Sequence, residues 1–276
     1  MTPRHILPIA ALLAALVLPC SAAEKLIALT FDDGPRPYVL YGLKPPGSPP
    51  GFHPGKPTAG LPGAPGLLEV LDRGGVKATF LVMGWRLTPK TWGETRHETN
   101  IGITCLEAAR DVLRRGHEIQ NHTYSHADLR VAERKKGMAW VLADVERGAQ
   151  VVQALTGSKP QYLRPPDWDL TDDARRQLEN RGFRILTISS QNPPAQRDVN
   201  SLDYLCAGKG TGCPKPSLAQ SVLKGIEQRE KHGLTTHVLV FHELTTTTAQ
   251  LPELIAALKG KGYRFVTVSE YMKLVR

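Results

Sequence analysis

Short apolar runs alternate along the chain with stretches in which apolar residues recur every three or four positions. The runs at 25–31 (KLIALTF), 77–83 (KATFLVM), 117–123 (HEIQNHT), 162–166 (YLRPP), 184–189 (RILTIS), 237–242 (HVLVFH) and 264–269 (RFVTVS) predict seven strands. Helical spacing predicts a helix over 66–75 on Leu67, Leu68, Val70 and Leu71, and one over 105–116 on Leu106, Ala109 and Leu113. A longer helix over 134–155 carries Met138, Val141, Leu142, Val145, Ala149 and Val152 on one side, and Thr171 is placed to cap a helix bearing Ala174 and Leu178. Further helices are predicted near 217–229 and 251–259. Strict alternation of strand and helix implies an α/β fold with parallel strands and crossover helices. A barrel and an open doubly wound sheet both satisfy the pattern, and in either one ligands collect at the carboxyl ends of the strands.

Two segments break the rhythm. Residues 35–66, dense in Pro and Gly, predict a long insertion without helix or strand directly after the first strand. The connection 84–100 carries Trp85, Trp92 and His97. At the start of the chain, Arg4 and His5 precede the apolar run Ile6–Leu18, with small residues at Ser21 and Ala23. This reads as a secretory signal cleaved after Ala23, leaving a domain over 24–276. The run is too short to span a bilayer, so no stable membrane insertion is expected after cleavage. Lipid attachment at Cys20 is the rival reading, and Pro19 fits it poorly. An exported compartment permits disulfides, and Cys206 and Cys213, flanking the Gly-containing AGKGTG, are spaced for a short staple; Cys105 sits in a helical pattern as a buried thiol. The formal charge is +9 and drops by one when Arg4 leaves with the signal. The basic residues are scattered, without a nucleic-acid motif, and describe a cationic solvated surface.

Chemistry gathers where strands end. The first strand ends in Asp32 and Asp33, the third runs into NHTYSH with His122 and His126, the fourth ends at Arg164 and the sixth at His242. Two histidines four positions apart share one side of a helical turn and can grip one metal ion. Two imidazoles and a carboxylate form a catalytic zinc set, though other divalent ions use it as well. Adjacent residues at a strand end point in different directions, so one Asp can ligate while its neighbour acts as a base; a bland alternative has one Asp capping a turn and the other solvated. Arg164 beside a carboxylate would keep that acid ionised and aimed, and His242 could donate a proton to a leaving group.

At these residues the chain resembles a known family. LTFDDGP (29–35), KATFLVMG (77–84), GHEIQNHTYSH (116–126), LRPP (163–166) and LVFH (239–242) are similar, in order, to the signature segments of the polysaccharide deacetylases with a NodB homology domain, carbohydrate esterase family 4. The resemblance spans about residues 25–270. It implies a distorted (β/α)7 barrel, here with the long insertion after the first strand, and metal-dependent hydrolysis of N- or O-acetyl groups on a glycan. It implies Asp32 as base, Asp33, His122 and His126 as ligands of a divalent ion with zinc the first expectation, Arg164 as the group that orients Asp32, and His242 as acid. Two departures stand out. After RPP the family places an aromatic residue whose backbone N–H helps hold the oxyanion; here Asp167 and then Trp168 follow, the two positions expected to meet substrate. The family also places an Asp and a Trp after the fifth strand, the Asp orienting the acid His, and TISSQNPPAQ (187–196) contains neither. Asp167, Asp169 and Glu243 are the alternatives for that partner. The expected partner is an acetylated glycan of the cell envelope or surroundings, met by an exported, periplasmic or secreted, enzyme. The second reading is a catalytically impaired glycan-binding protein of the same fold.

Overall fold

The computed structural model of the chain describes residues 24–42, 65–88, 103–206 and 212–275. The expected signal segment, most of the 35–66 insertion, and Trp92 and His97 lie outside the described residues. The strands are β1 (Leu26–Gly34), β2 (Thr79–Val82), β3 (Glu118–Asn121), β4 (Tyr162–Leu163), β5 (Arg184–Ile185), β6 (Asp198–Asn200), β7 (Thr236–His242) and β8 (Arg264–Val266). Among the described residues all pairings are parallel, in the spatial order β5-β4-β3-β2-β1-β7-β6. A lone bridge between Thr187 and Arg197, with the Asp198 N–H donating to the Thr187 carbonyl, joins the two ends of that order into a ring. The result is a distorted seven-stranded (β/α) barrel, as expected, in which β8 stands off the ring and pairs with the first half of β1.

Helices connect the strands: α1 (Pro37–Leu40), α2 (Leu67–Arg73), α3 (Cys105–Arg114), α4 (Leu129–Lys136), α5 (Met138–Thr156), α6 (Asp172–Asn180), α7 (Leu218–Lys231), α8 (Thr245–Gly260) and α9 (Val268–Leu274). Period-two alternation sorts β1 between two cores. Ile27, Leu29 and Phe31 face the outer core against α2, α3, α7 and α8, while Leu26 and Ala28 join an inner cluster with Leu81, Val238 and Tyr271. Continuing that inner face upward places Thr30 and then Asp32 inside the ring. Tyr271 and Met272 of α9 close its lower end. No helix among the described residues is long and apolar enough to cross a membrane.

Several sequence expectations are corrected. The strand β6 was not foreseen: it is three residues long and contains a single apolar side chain, Val199. The predicted helix over 134–155 is two helices, because Gly137, at φ 87°, breaks the path between α4 and α5. On α3 the expected Ala109 is buried and Leu113 packs against the core, but the fully buried face is completed by Cys105, Ala108 and Val112, and Leu106 is not part of it. The run 264–269 stops as a strand at Val266 because Thr267 and Glu270 form a capping box that starts α9. Among its described residues the insertion begins with one helical turn, α1, started by Pro37. Cys206 and Cys213 form the expected disulfide, and Cys105 is a buried thiol.

One glycine governs how closely a helix approaches the future site. A Cβ on Gly148 of α5 would sit 2.6 Å from Asn121 Oδ1 and 2.7–2.8 Å from the Thr123 carbonyl group. The Asn121 side chain is fixed there, donating to the Val145 carbonyl. Gly148→Ala is therefore expected to destabilise the protein by about 1–3 kcal/mol through overpacking, read as a lowered urea midpoint at unchanged m-value.

Candidate active site

The end of β1 answers why two carboxylates stand side by side. Its register with β2 slips between Phe31 and Gly34, and Asp33 adopts a left-handed backbone at φ 68°. The bulge breaks the alternation and re-aims one side chain. Asp32 stays on the inner face, 3 % exposed, while Asp33 turns toward the loop after β3. Below this bend lies Glu243, fully buried, which accepts the Arg36 backbone N–H at 2.6 Å and lies so near Gly34 that a Cβ there would meet its Oε1 at 1.7 Å. Any side chain at position 34 would have to displace the Glu243 carboxylate.

His122 and His126 do come together, with ring centroids 4.9 Å apart, but not on a helical turn. They stand on a loop with left-handed residues at Thr123 (φ 66°) and His126 (φ 58°), held by the His126 N–H donating to Thr123 Oγ1 and the Ser125 N–H to Asp144. Non-glycine residues in this region cost about 1–3 kcal/mol each, so the surrounding contacts over-determine the bend. Asp33 Oδ1 lies 2.9 Å from His126 Nε2 and 3.4 Å from His122 Nε2. Burial opposes charge on both Asp33 and His126. It is outweighed at Asp33 by the two imidazoles beside it, which hold the carboxyl well below the usual range, and at His126 by the Asp33 carboxylate, which pushes the imidazole up.

These three residues fit a divalent cation. Their ligand atoms all lie within 4.8 Å of one another. His122 Nδ1, 2.7 Å from the Arg164 carbonyl, must be the donor there, which leaves the Nε2 lone pair facing Asp33. Asp33 Oδ1 is itself buried without a hydrogen-bond donor. Opposed lone pairs in a buried spot are the arrangement that a shared cation relieves, and a backbone acceptor on the remote ring nitrogen is the usual support of a ligating histidine.

Arg164 organises the other wall. It is 1 % exposed; its Nη1 donates to Asp32 Oδ1 at 2.6 Å and to Thr30 Oγ1 at 2.9 Å, while Nε and Nη2 make a two-pronged pair with Asp198 at 2.8 and 2.9 Å. Burial opposes its charge, but the two carboxylates hold the guanidinium more firmly protonated than usual. The indole of Trp168 donates to Asp198 Oδ2 at 2.7 Å. Asp198 thus ties the ends of β4 and β6 across the weak closure of the ring.

The partner of His242 is found, and it is none of the three alternatives. Asp203 Oδ1 lies 2.7 Å from His242 Nδ1, and its Oδ2 accepts the His242 N–H at 2.7 Å and the Thr247 hydroxyl at 2.6 Å. Burial works against the imidazolium, but Asp203, helped by the charges of Asp32 and Asp33, pushes the His242 pKa up to about 9. Tyr204, next in sequence, sets its ring edge-on to His242 at 5.7 Å. The acid and aromatic residue sought after the fifth strand therefore stand at 203 and 204, after the short β6. Asp169 instead pairs with Arg130.

The expected residues all line one cavity of about 370 Å³: Asp32, Asp33, His122, His126, Arg164, Asp167, Trp168 and His242, joined by Pro165 and Tyr204. Asp167 and Trp168 both take left-handed backbones, at φ 54°. The neighbouring N–H groups of Trp168 and Asp169 donate back to Pro165 and Pro166; among the described residues nothing accepts the Asp167 N–H.

The family profile described as polysaccharide deacetylase matches residues 21–186. A chitin deacetylase of a Pestalotiopsis species is 25 % identical over 255 residues, covering 91 % of this chain and 65 % of the relative. A peptidoglycan-N-acetylglucosamine deacetylase of Bacillus cereus is 24 % identical over 254 residues, covering 91 % and 89 %. Among solved structures, the peptidoglycan deacetylase PdaC of Bacillus subtilis superposes with a TM-score of 0.58 at 20 % identity, covering 91 % of this chain and 92 % of that one. With the signature residues gathered in one cavity of the matching barrel, this chain belongs to the polysaccharide deacetylase family.

Proposed function

We propose that this chain is an exported, metal-dependent deacetylase that hydrolyses N-acetyl groups, or O-acetyl groups, of a cell-envelope or extracellular glycan and releases acetate. The observation that carries the reading is that one cavity holds a cation-binding set together with two proton-transfer groups, each locked by its own buried partner. Asp33, His122 and His126 are the residues that would hold the cation, zinc being the first expectation. When bound, such an ion supplies Lewis-acid polarisation of the acetyl carbonyl and acidifies coordinated water.

The remaining steps belong to side chains of this chain. Arg164 occupies Asp32 Oδ1, leaving Oδ2 as the base that removes a proton from the attacking water. The Asp167 N–H is positioned to donate to the oxygen that becomes negative as the carbonyl turns tetrahedral. Asp203 holds His242 Nδ1, so Nε2 carries the proton toward the departing amine or alcohol. The bond broken is the one between the acetyl carbon and that nitrogen or oxygen. Tyr204 and Trp168 flank the cavity as surfaces for a sugar ring.

A glycan-binding protein that has lost chemistry would have no need of the Asp32–Arg164 and Asp203–His242 pairs, and their completeness speaks against that reading. The deciding measurement is acetate release from a panel of acetylated glycans, with metal, with chelator and after metal is restored. Activity that chelator removes and metal restores is expected; a folded, metal-loaded protein that releases acetate from nothing on the panel would leave only the binding role.

A further inference from the structure

The carboxylates around the cavity are accounted for one by one, with a single exception. Asp32 is bonded to Arg164, Asp33 faces the histidine pair and accepts from Arg36, Asp198 is bonded to Arg164 and Trp168, Asp203 to His242 and Thr247, and Asp169 to Arg130. The carboxylate of Asp167 has no hydrogen-bond or ion-pair partner among the described residues, although it lines the same cavity and is exposed. It does not belong to the cation set, which comprises Asp33, His122 and His126. Its backbone is held at φ 54°, ψ 12°, a conformation that asparagine and aspartate tolerate better than most residues, between Pro165 and Trp168. Trp168 spends its indole N–H on Asp198, so toward the cavity it offers only apolar surface, and Tyr204 lies on the cavity wall as well.

The Asp167 carboxylate acts on His126 across the cavity but has no hydrogen-bonded or ion-paired partner of its own among the described residues, and a negative charge so placed beside the expected oxyanion donor is unfavourable for the reaction of a neutral substrate, because it opposes the charge that develops there. It becomes favourable when the substrate carries its own positive charge into the cavity. Resting on the deacetylase reading above, we propose that Asp167 is a specificity residue that selects glycans carrying a free ammonium group on the acetylated sugar's neighbour, that is, amino-sugar chains already deacetylated in part. The ammonium of such a unit donates to the Asp167 carboxylate, offsets its field at the oxyanion, and finds aromatic faces alongside it. The same charge discriminates against glycans bearing carboxylates near the acetyl group. In a reaction sequence, the enzyme acts after a first deacetylation has supplied the amine.

The test uses the metal-loaded protein and two pentamers of β-1,4-linked glucosamine, one fully N-acetylated and one retaining free amines at two positions. The wild type is expected to show kcat/KM about five- to tenfold higher on the amine-bearing pentamer at low salt, with the preference shrinking as ionic strength rises. Asp167→Asn, which keeps the shape and the backbone preference, is expected to bring the ratio close to one, by losing on the cationic substrate and gaining on the neutral one. Inhibition of the wild type by the fully deacetylated pentamer provides a measurement that needs no variant, and it is expected to weaken with salt. A wild-type ratio of one, or a ratio that Asp167→Asn leaves in place, overturns the proposal alone. So does loss of metal from Asp167→Asn at a chelator concentration the wild type withstands, since Asp167 would then act at the cation. Absence of acetate from both pentamers at full metal loading overturns the deacetylase reading itself.

Discussion

Asp33→Asn is expected to lose stoichiometric metal and to release acetate more than about 10³-fold more slowly than the wild type, a loss beyond that of most single proton-transfer groups. Asparagine is the informative replacement because it tolerates the left-handed backbone at position 33, where alanine would add strain. The variant keeps the shape of the side chain and removes the charge that joins the two imidazoles. Metal content by elemental analysis and acetate release on one preparation check both halves of the expectation. A variant that retained a full equivalent of metal and the wild-type rate would remove Asp33 from the centre.

The second large effect is expected at Asp203, and it carries a sign in pH. His242 must be protonated to donate, and its pKa stands at about 9, so the wild-type kcat/KM keeps its acid form through neutrality and falls on the alkaline side toward that value. Asp203 is the chief group that raises the pKa against the opposing effect of burial. In Asp203→Asn the alkaline limb is expected to move toward the ordinary histidine value near 6.5 or below it, with kcat at neutral pH reduced about 10²-fold or more because the ring also loses its fixed tautomer. Linkage runs the same way. The pair's contribution to stability is fully present below the unfolded pKa and is lost as pH rises through about 9. A pH–rate profile that superposes on the wild type after scaling would show that Asp203 does not tune the acid.

The candidate site was legible in the sequence to the extent that it sits at the ends of well-patterned strands. Asp32, Asp33 and His242 each follow a run of apolar residues long enough to declare itself, Arg164 follows only Tyr162 and Leu163 and is marked by the two prolines after it, and parallel topology then obliges them to meet. Asp203 and Asp198 escaped because the strand that delivers them is short and mostly polar: Asp-Val-Asn pairs with β7 over three residues and has no hydrophobic signature to read. The histidine pair was read correctly as a unit for the wrong local reason. Spacing of four suits a helix, yet left-handed residues at Thr123 and His126 fold the loop tightly enough to do the same work. Packing constraints such as the contact of Gly148 with Asn121 and Thr123 depend on distances between segments that no linear pattern records.

The closure of the ring through one bridge has a consequence for how the protein fails. The candidate cation set, Asp33, His122 and His126, hangs from the ends of β1 and β3, whereas Asp203, the partner of His242, follows β6, beside the seam where, among the described residues, a single bridge joins Thr187 and Arg197. Fraying at that seam would free Asp203 and Asp198 while leaving the cation cradle whole. On the deacetylase reading, mild stress would populate a state in which the cation set is intact and the proton donor has lost its tether, so metal retention and acetate release would report on separate cooperative parts of one barrel.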